Sequence, residues 1–342
     1  ATEEELDNPT QEKPLARLSK EEMVKYIETD LTYAAAHLPS PSEAEYGRFS
    51  KGLAKMLLIR LYLHETVSDK SYYDKVETLA NDLMSSSMGY SLSDSYPKMF
   101  EVGGQGPDNK EIIWALPVNT EMVSWNDWHM FVLPTDFDDH GMPSGYESLN
   151  STWYFYDSFE DGDTRRTYLV DSYKSKNGTI VNRENPGTHM ELGPIPMKYG
   201  YDTSIQGNGG KSTINPIIFR YADAYLSLAE ALYMKNGSTA ADKEKARSLI
   251  NTIRNRAGLD ELPASAIDAQ NKFVECLLKE RSHEFWCENG QYRADLIRFD
   301  KFVSHAETVK GTSYANKNKE LYPLPLSAIT DGKGLVVNNP GY

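Results

Sequence analysis

Apolar positions recur with a helical period in two blocks, one near each end of the chain. Ser19-x-x-Glu22 forms a capping box, and Met23, Ile27, Leu31, Ala34, Ala35 and Leu38 follow at helical spacing until Pro39 and Pro41 stop the pattern. A second helix fits roughly Phe49 to His64, with Leu53, Met56, Leu57 and Leu61. A third fits roughly Tyr72 to Ser86, with Val76, Leu79, Ala80 and Leu83 on one face. Short links between them predict antiparallel neighbours. The second block opens at Ile217, where Ile218, Tyr221, Ala222, Tyr225, Leu228, Ala229 and Leu232 make a wide apolar stripe that Asn236-Gly237 is expected to close. Ala246, Leu249, Ile250, Ile253 and Ala257 carry the next helix, which Gly258 ends. A longer helix is expected from about Ala269 to Asn289, and a short one from Gln291 to Val303.

Between the blocks the periodicity fades. From about Ser87 to Pro216 glycine and proline are frequent, and Gly103-Gly104-Gln105-Gly106 and Gly207-Asn208-Gly209-Gly210 read as flexible turns. Glu111 to Val118 fits one short strand. Four of the five tryptophans fall here: Trp114, Trp125, Trp128 and Trp153. A structureless loop of this length is improbable inside a domain, so short helices, hairpins and long excursions packed on a helical frame are expected. The chain therefore reads as mainly α (all-α class), with tetratricopeptide-like helix pairs and a large irregular aromatic-rich region. The expected organisation is a single domain over 1–342. Helical hairpins occupy 20–86 and 217–303, ligand-binding excursions 87–216, and an extended tail 304–342 that includes Tyr322-Pro323-Leu324-Pro325.

Charge narrows the function. With 36 basic against 50 acidic residues the net charge is −14, which disfavours nucleic acid and anionic lipid headgroups as partners. Neutral ligands such as sugars are unaffected. The 22 tyrosines combine flat apolar faces with hydroxyls, a composition suited to wet recognition surfaces. Cys276 and Cys287 fall in one predicted helix, eleven residues apart. That places them about 16 Å apart along its axis, too far for a disulfide. No apolar run is long enough for a membrane-spanning helix.

The C-terminal residues resemble the SusD/RagB family. Phe219-Arg220-Tyr221-Ala222-Asp223-Ala224-Tyr225-Leu226, running on to Ala229-Glu230-Ala231, is similar to the family's "RYAEvlLmyAEA" helix. Ile250-Asn251 with Ile253-Arg254-Asn255-Arg256-Ala257-Gly258-Leu259 resembles "INxIRxRAGL". Glu280-Arg281, Glu284-Phe285, Gly290 and Arg293-Ala294-Asp295-Leu296-Ile297-Arg298 resemble "ERrrElafEGxRwxDLiR". Tyr322-Pro323-Leu324-Pro325 with Asn338-Asn339-Pro340-Gly341-Tyr342 resembles the family's ending. Gly47-Arg48, Lys51-Gly52, Ala54 and Leu61-Tyr62-Leu63 resemble its "GRatkgAAxalLarvyLy" helix. Five pieces in the right order are specific where each alone is weak. Family members are usually longer, so the sequence is expected to begin partway into the pattern, without the lipidated cysteine. The resemblance implies a non-catalytic protein of the outer face of Bacteroidetes outer membranes. Such a protein lids a SusC-like TonB-dependent transporter and holds glycan, or sometimes peptide, for import. It implies no cofactor.

Sugar binding needs aromatic faces with amides and carboxylates beside them. Trp125-Asn126-Asp127-Trp128 offers both, and Trp153-Tyr154 with Tyr156 is a second cluster. The opposing reading is that these rings plug loops onto the helices. Glu280, Arg281, Glu284, Arg293, Asp295 and Arg298 suggest paired catalytic carboxylates, but adjacent arginines would spoil a general acid, and an ion-pair network between helices fits better. The acidic residues Asp136, Asp138 and Asp139, and the loop Asp161-Gly162-Asp163, read as solvated faces rather than calcium loops. No metal site is expected: His283-Glu284 is not HExxH, because position 287 is Cys. Two rivals to glycan capture remain, a helical-repeat adaptor that binds peptide or protein and, further off, a glycoside hydrolase.

Overall fold

The computed structural model describes residues 16–118, 126–138, 145–146, 148–202, 212–312 and 315–342. The chain divides into two compact units, Ala1–Asp30 with Leu296–Tyr342, and Leu31–Asp295.

The larger unit is built on helix pairs. α2 (Lys51–Glu65) packs on α3 (Tyr72–Leu83), α3 on α6 (Tyr221–Met234), and α6 on α7 (Ala240–Arg256). α1 (Lys20–His37) precedes them and buries no residue fully. α6 is buried on nearly every side from Tyr221 to Met234, at the centre of the frame, and its polar residues Asp223, Ser227 and Glu230 are buried with it, Asp223 paired with Arg60 and Arg281 and Glu230 accepting from Tyr73. Met56, Ile59, Leu63, Ile250, Ile253, Phe273 and Leu277 fill the core around it. α8 (Gln270–Phe285) closes this side, where Phe273 stacks on Tyr233 of α6 with ring centroids 3.8 Å apart.

Local chemistry sets the ends. Ser19 and Glu22 make the predicted capping box, with the Glu22 backbone N–H on Ser19 Oγ and the Ser19 N–H on the Glu22 carboxylate. Thr239 and Asp242 make another at α7. α7 ends in a Schellman arrangement: Leu259 N–H reaches Arg254 O, Gly258 N–H reaches Asn255 O, and Gly258 takes φ +84. α6 stops at Met234, ahead of the expected Asn236-Gly237 stop, because Lys235 already turns extended.

α8 is shorter than the sequence suggests. It ends at Phe285, Trp286 is extended, and Cys287 takes a left-handed φ of 58°. The cause is Lys198, whose ammonium donates to the Glu284 and Trp286 carbonyls at 2.9 and 2.8 Å and so caps the helix early. Cys276 and Cys287 therefore do not share a helix, and both are free thiols.

Among the described residues, three antiparallel two-stranded ladders pin the excursions between the helical blocks. β1 (Ile112–Ala115) pairs with β6 (Ile217–Arg220), β2 (Leu169–Val170) with β5 (Ile195–Pro196), and β3 (Ser172–Lys174) with β4 (Ile180–Asn182). Two short helices, α4 (Trp128–Val132) and α5 (Trp153–Asp157), lie between β1 and β2 in sequence. Two apolar clusters sit beneath them. One gathers Tyr96, Met99, Phe100, Tyr199, Ile214 and Ile217. The other gathers Val132, Leu133, Tyr173, Val181, Met190 and Ile195.

In the smaller unit, the tail is less extended than predicted. Tyr322–Pro325 is extended, but α10 (Phe302–Lys310) and α11 (Leu326–Asp331) flank it. Asp300, at φ 54°, breaks the helical run that the sequence carries past Arg298, so α9 (Gln291–Arg298) and α10 are separate. Arg17 donates to the Asn339 side chain at 3.1 Å.

Candidate functional site

The conspicuous polar motif of the sequence is structural. Arg220, at the end of β6, donates to Glu111 and Glu284 carboxylate oxygens, each at 2.7 Å, and to Glu288 at 2.8 Å. Arg256 reaches Glu111 at 2.5 Å and also Glu284. Arg165 bridges Glu280 (2.6 Å) and Glu284 (3.1 Å) and holds Asp163 through a two-point contact. Burial alone would raise the Glu284 carboxyl. Arg256, Arg220 and Arg165 overcome it and hold the group well below the usual carboxylate range. Burial wins at Glu280, which is raised despite Arg165. A second cluster joins Arg60, Asp223, Arg281 and Asp295. The network clamps the starts and ends of the excursions onto α6, α7 and α8. It leaves no carboxylate in the solvated, unpaired setting of a general acid or base.

One other constellation resembles a hydrolytic array. Ser158 Oγ lies 2.8 Å from His283 Nε2, and His283 Nδ1 lies 3.8 Å from Asp163. The geometry does not serve that chemistry. Both Asp163 oxygens are taken by Arg165, and the Ser158 hydroxyl donates to Phe155 O at 2.6 Å. His283 is buried flat against Phe159, centroids 3.8 Å apart. Burial, then the nearby Arg165 and Lys279 cations, push it down to about 2, opposing the imidazolium that a general base must become.

The aromatic residues expected to meet ligand separate into two groups. Trp125 lies outside the described residues. Asn126 is buried and fully occupied. Its amide donates to Ile214 O at 2.9 Å, its side-chain oxygen accepts Trp128 N–H, and its backbone bridges Ser212. Trp128 is half-buried, packs on both apolar clusters, and donates its indole N–H to Pro196 O at 2.9 Å. Asp127, between them, has a buried carboxylate oxygen with no hydrogen-bond partner among the described residues. Trp153 donates to Met190 O at 3.0 Å and carries the Arg183 guanidinium 4.9 Å above its ring, with Arg183 fixed by a two-point pair to Asp157. Tyr156 donates to Asp171 and carries Arg166 at 5.6 Å. The loop-plugging reading thus describes Trp128, Trp153 and Tyr156, whose ring edges or faces the protein uses itself. Tyr154 remains half exposed.

The open aromatic surface lies one helical turn beyond Trp128. Phe131, the fourth residue of α4, is 44% exposed, and Tyr146 is 67% exposed. The segment carrying Tyr146 runs alongside α4: Tyr146 N–H donates to Met130 O at 2.6 Å, and Ser148 and Leu149 N–H donate to Phe131 O at 2.7 and 2.9 Å. Gly145 permits this approach, because a Cβ there would sit 2.0 Å from Leu133 O. Leu149, also exposed, extends the strip. Sequence reasoning missed these residues. The available signal was the Gly145-Tyr146 step, a glycine beside an aromatic in a polar stretch.

A pattern described as the SusD family matches residues 185–342. Among curated relatives, the starch-binding protein SusD of Bacteroides thetaiotaomicron is 23% identical, with 94% of this chain and 65% of that protein aligned. A SusD-like protein of Bacteroides ovatus is 25% identical, covering 87% and 54%. The chain spans 54–66% of the length of the curated relatives it matches. Among solved structures, a SusD homolog from B. thetaiotaomicron superposes with a TM-score of 0.75 at 23% identity, over 95% of this chain and 71% of that one. Surface glycan-binding protein A of the same organism, in complex with laminarihexaose, gives 0.70 at 20% identity over 93% and 70%. These likenesses establish the fold as that of the SusD homologues.

Proposed function

Because this chain belongs to the SusD/RagB family, we propose that it captures an oligosaccharide or polysaccharide at the cell surface, without cleaving it, for delivery to a SusC-like TonB-dependent transporter. The observation that carries the reading is the exposed strip of Phe131 on α4 and Tyr146 and Leu149 on the segment bonded alongside it, with the Trp128 indole of the same helix anchored to Pro196 O. Rings held by a fixed backbone lose little freedom when a sugar stacks on them. The starch-binding name of one relative and the laminarihexaose bound by another support glycan as the ligand class. The Glu280 and Glu284 carboxylates, the pair that the sequence offers for hydrolysis, are engaged with buried arginines and do not face a substrate. The proposed setting is the outer face of a Bacteroidetes outer membrane, reached through a lipid anchor. No helix among the described residues is long and apolar enough to cross a membrane.

Affinity electrophoresis against plant, host and microbial glycans tests the proposal. Retardation by a glycan that is recovered uncleaved supports it. Release of shorter sugars would replace it with the hydrolase reading, and a ligand found only among peptides would favour the adaptor.

A further inference from the structure

A concave surface lies between the loop that precedes α2 and strand β1, and its lining shares no residue with the Phe131–Tyr146 strip. Its volume is about 170 Å³, small beside the roughly 300–1,000 Å³ of sites for drug-sized ligands, a size that suits one ring. Its walls are fixed through their polar ends. Trp114 donates its indole N–H to Gly47 O at 3.0 Å. The Tyr46 hydroxyl donates to Gln105 O and accepts from the Asn215 amide at 3.1 Å. Tyr90 rests on α2 where only glycine fits, since a Cβ on Gly52 would lie 2.1 Å from its hydroxyl. Tyr90 stacks on Tyr221 with centroids 5.9 Å apart and Tyr46 packs on the apolar cluster around Phe100, so Trp114 is the wall nearest the opening, with Phe49, 61% exposed, tilted over it at 5.8 Å.

The rim carries charge of mixed sign with a cationic excess. Arg48 and Lys110 line it against one carboxylate, Glu45, on a chain whose net charge is −14. Arg48 meets Glu45 only loosely, at 3.7 Å with its side chain 77% exposed, so both remain able to turn to a ligand. Lys110 reaches Pro107 O at 3.4 Å. Flat aromatic walls suit the C–H faces of a pyranose, Glu45 can accept from its hydroxyls, and the two cations match one carboxylate. We infer that this cleft is a second ligand site, specific for a single carboxylated sugar ring such as a uronic acid.

The inference is independent of the strip at Phe131, and the test keeps the two apart. Methyl glucuronide and methyl glucoside are titrated into the whole chain while the indole N–H signals are followed by NMR. Saturable shifts of the Trp114 signal are expected, with glucuronide binding about tenfold tighter than glucoside. The exposed-surface double variant Arg48→Ala/Lys110→Ala should fall to the glucoside level with an unchanged melting temperature, and Phe131→Ala should bind glucuronide as the parent does. Equal binding of the two sugars, no shift of Trp114, or an unaffected double variant would overturn the assignment.

Discussion

Arg220 grips Glu284 twice, its Nη1 on the carboxylate at 2.7 Å and its Nη2 on the main-chain carbonyl at 2.8 Å, so one side chain fixes both the charge and the backbone of α8. Both side chains are fully buried. Removing one member of a buried ion pair leaves its partner uncompensated, at a cost of about 3–5 kcal/mol. Glu284→Ala is therefore expected to lower the urea midpoint sharply, whereas Glu244→Ala, which breaks a solvent-exposed pair with Arg247, should leave it in place. Equal midpoints for the two variants would refute the clamp.

Stability should fall as pH drops below neutral. His129 is buried, and burial holds it down to about 4, while His283 is held to about 2. An unfolded histidine titrates near 6.5. Both folded values are depressed, so their contribution is full above pH ~6.5 and is lost as pH falls from there towards the folded values. Each costs about 1.4 kcal/mol per pH unit in that window. Denaturation midpoints between pH 7 and 5 should decline accordingly. A flat profile would mean that neither imidazole is kept neutral by the fold.

Trp128 and Phe131 share α4 but do different work. Trp128→Phe removes the hydrogen bond to Pro196 O and should cost roughly 1 kcal/mol of stability. Glycan affinity should survive that change. A Trp128→Phe variant of unchanged stability that no longer binds glycan would show Trp128 to be a ligand contact.

Gly145 is expected to act as a positioning residue. Gly145→Ala places a methyl group 2.0 Å from Leu133 O, so the segment must move and Tyr146 with it. The predicted result is weakened glycan binding with the circular dichroism of the helical frame retained. Unchanged affinity would show that the Tyr146 placement does not matter.

The helical frame was legible because its periodicity runs over many residues. α2, α3 and α7 start at Ser50, Ser71 and Thr239, signals that act locally, and α6 is a long apolar run. The end of α8 was not legible, because its cap comes from Lys198, 88 residues from Trp286 in sequence. The candidate surface was less legible. Trp125-Asn126-Asp127-Trp128 drew the eye to the stretch that leads into α4, but tryptophan content does not reveal which ring faces the fold spends on itself. Trp128 and Trp153 are tied by carbonyls of distant strands and loops, and the open rings beside them belong to a phenylalanine and a tyrosine that composition does not single out.

Glycan capture at the α4 surface is tested by binding constants for a glycan retarded by the parent chain, measured on Phe131→Ala and Tyr146→Ala. Each lost ring should cost about 1–2 kcal/mol, roughly a 5- to 30-fold weaker Kd, with melting temperatures unchanged because both side chains are exposed. Parent-like affinity in both variants would contradict the assignment of this surface and send the glycan site elsewhere on the chain.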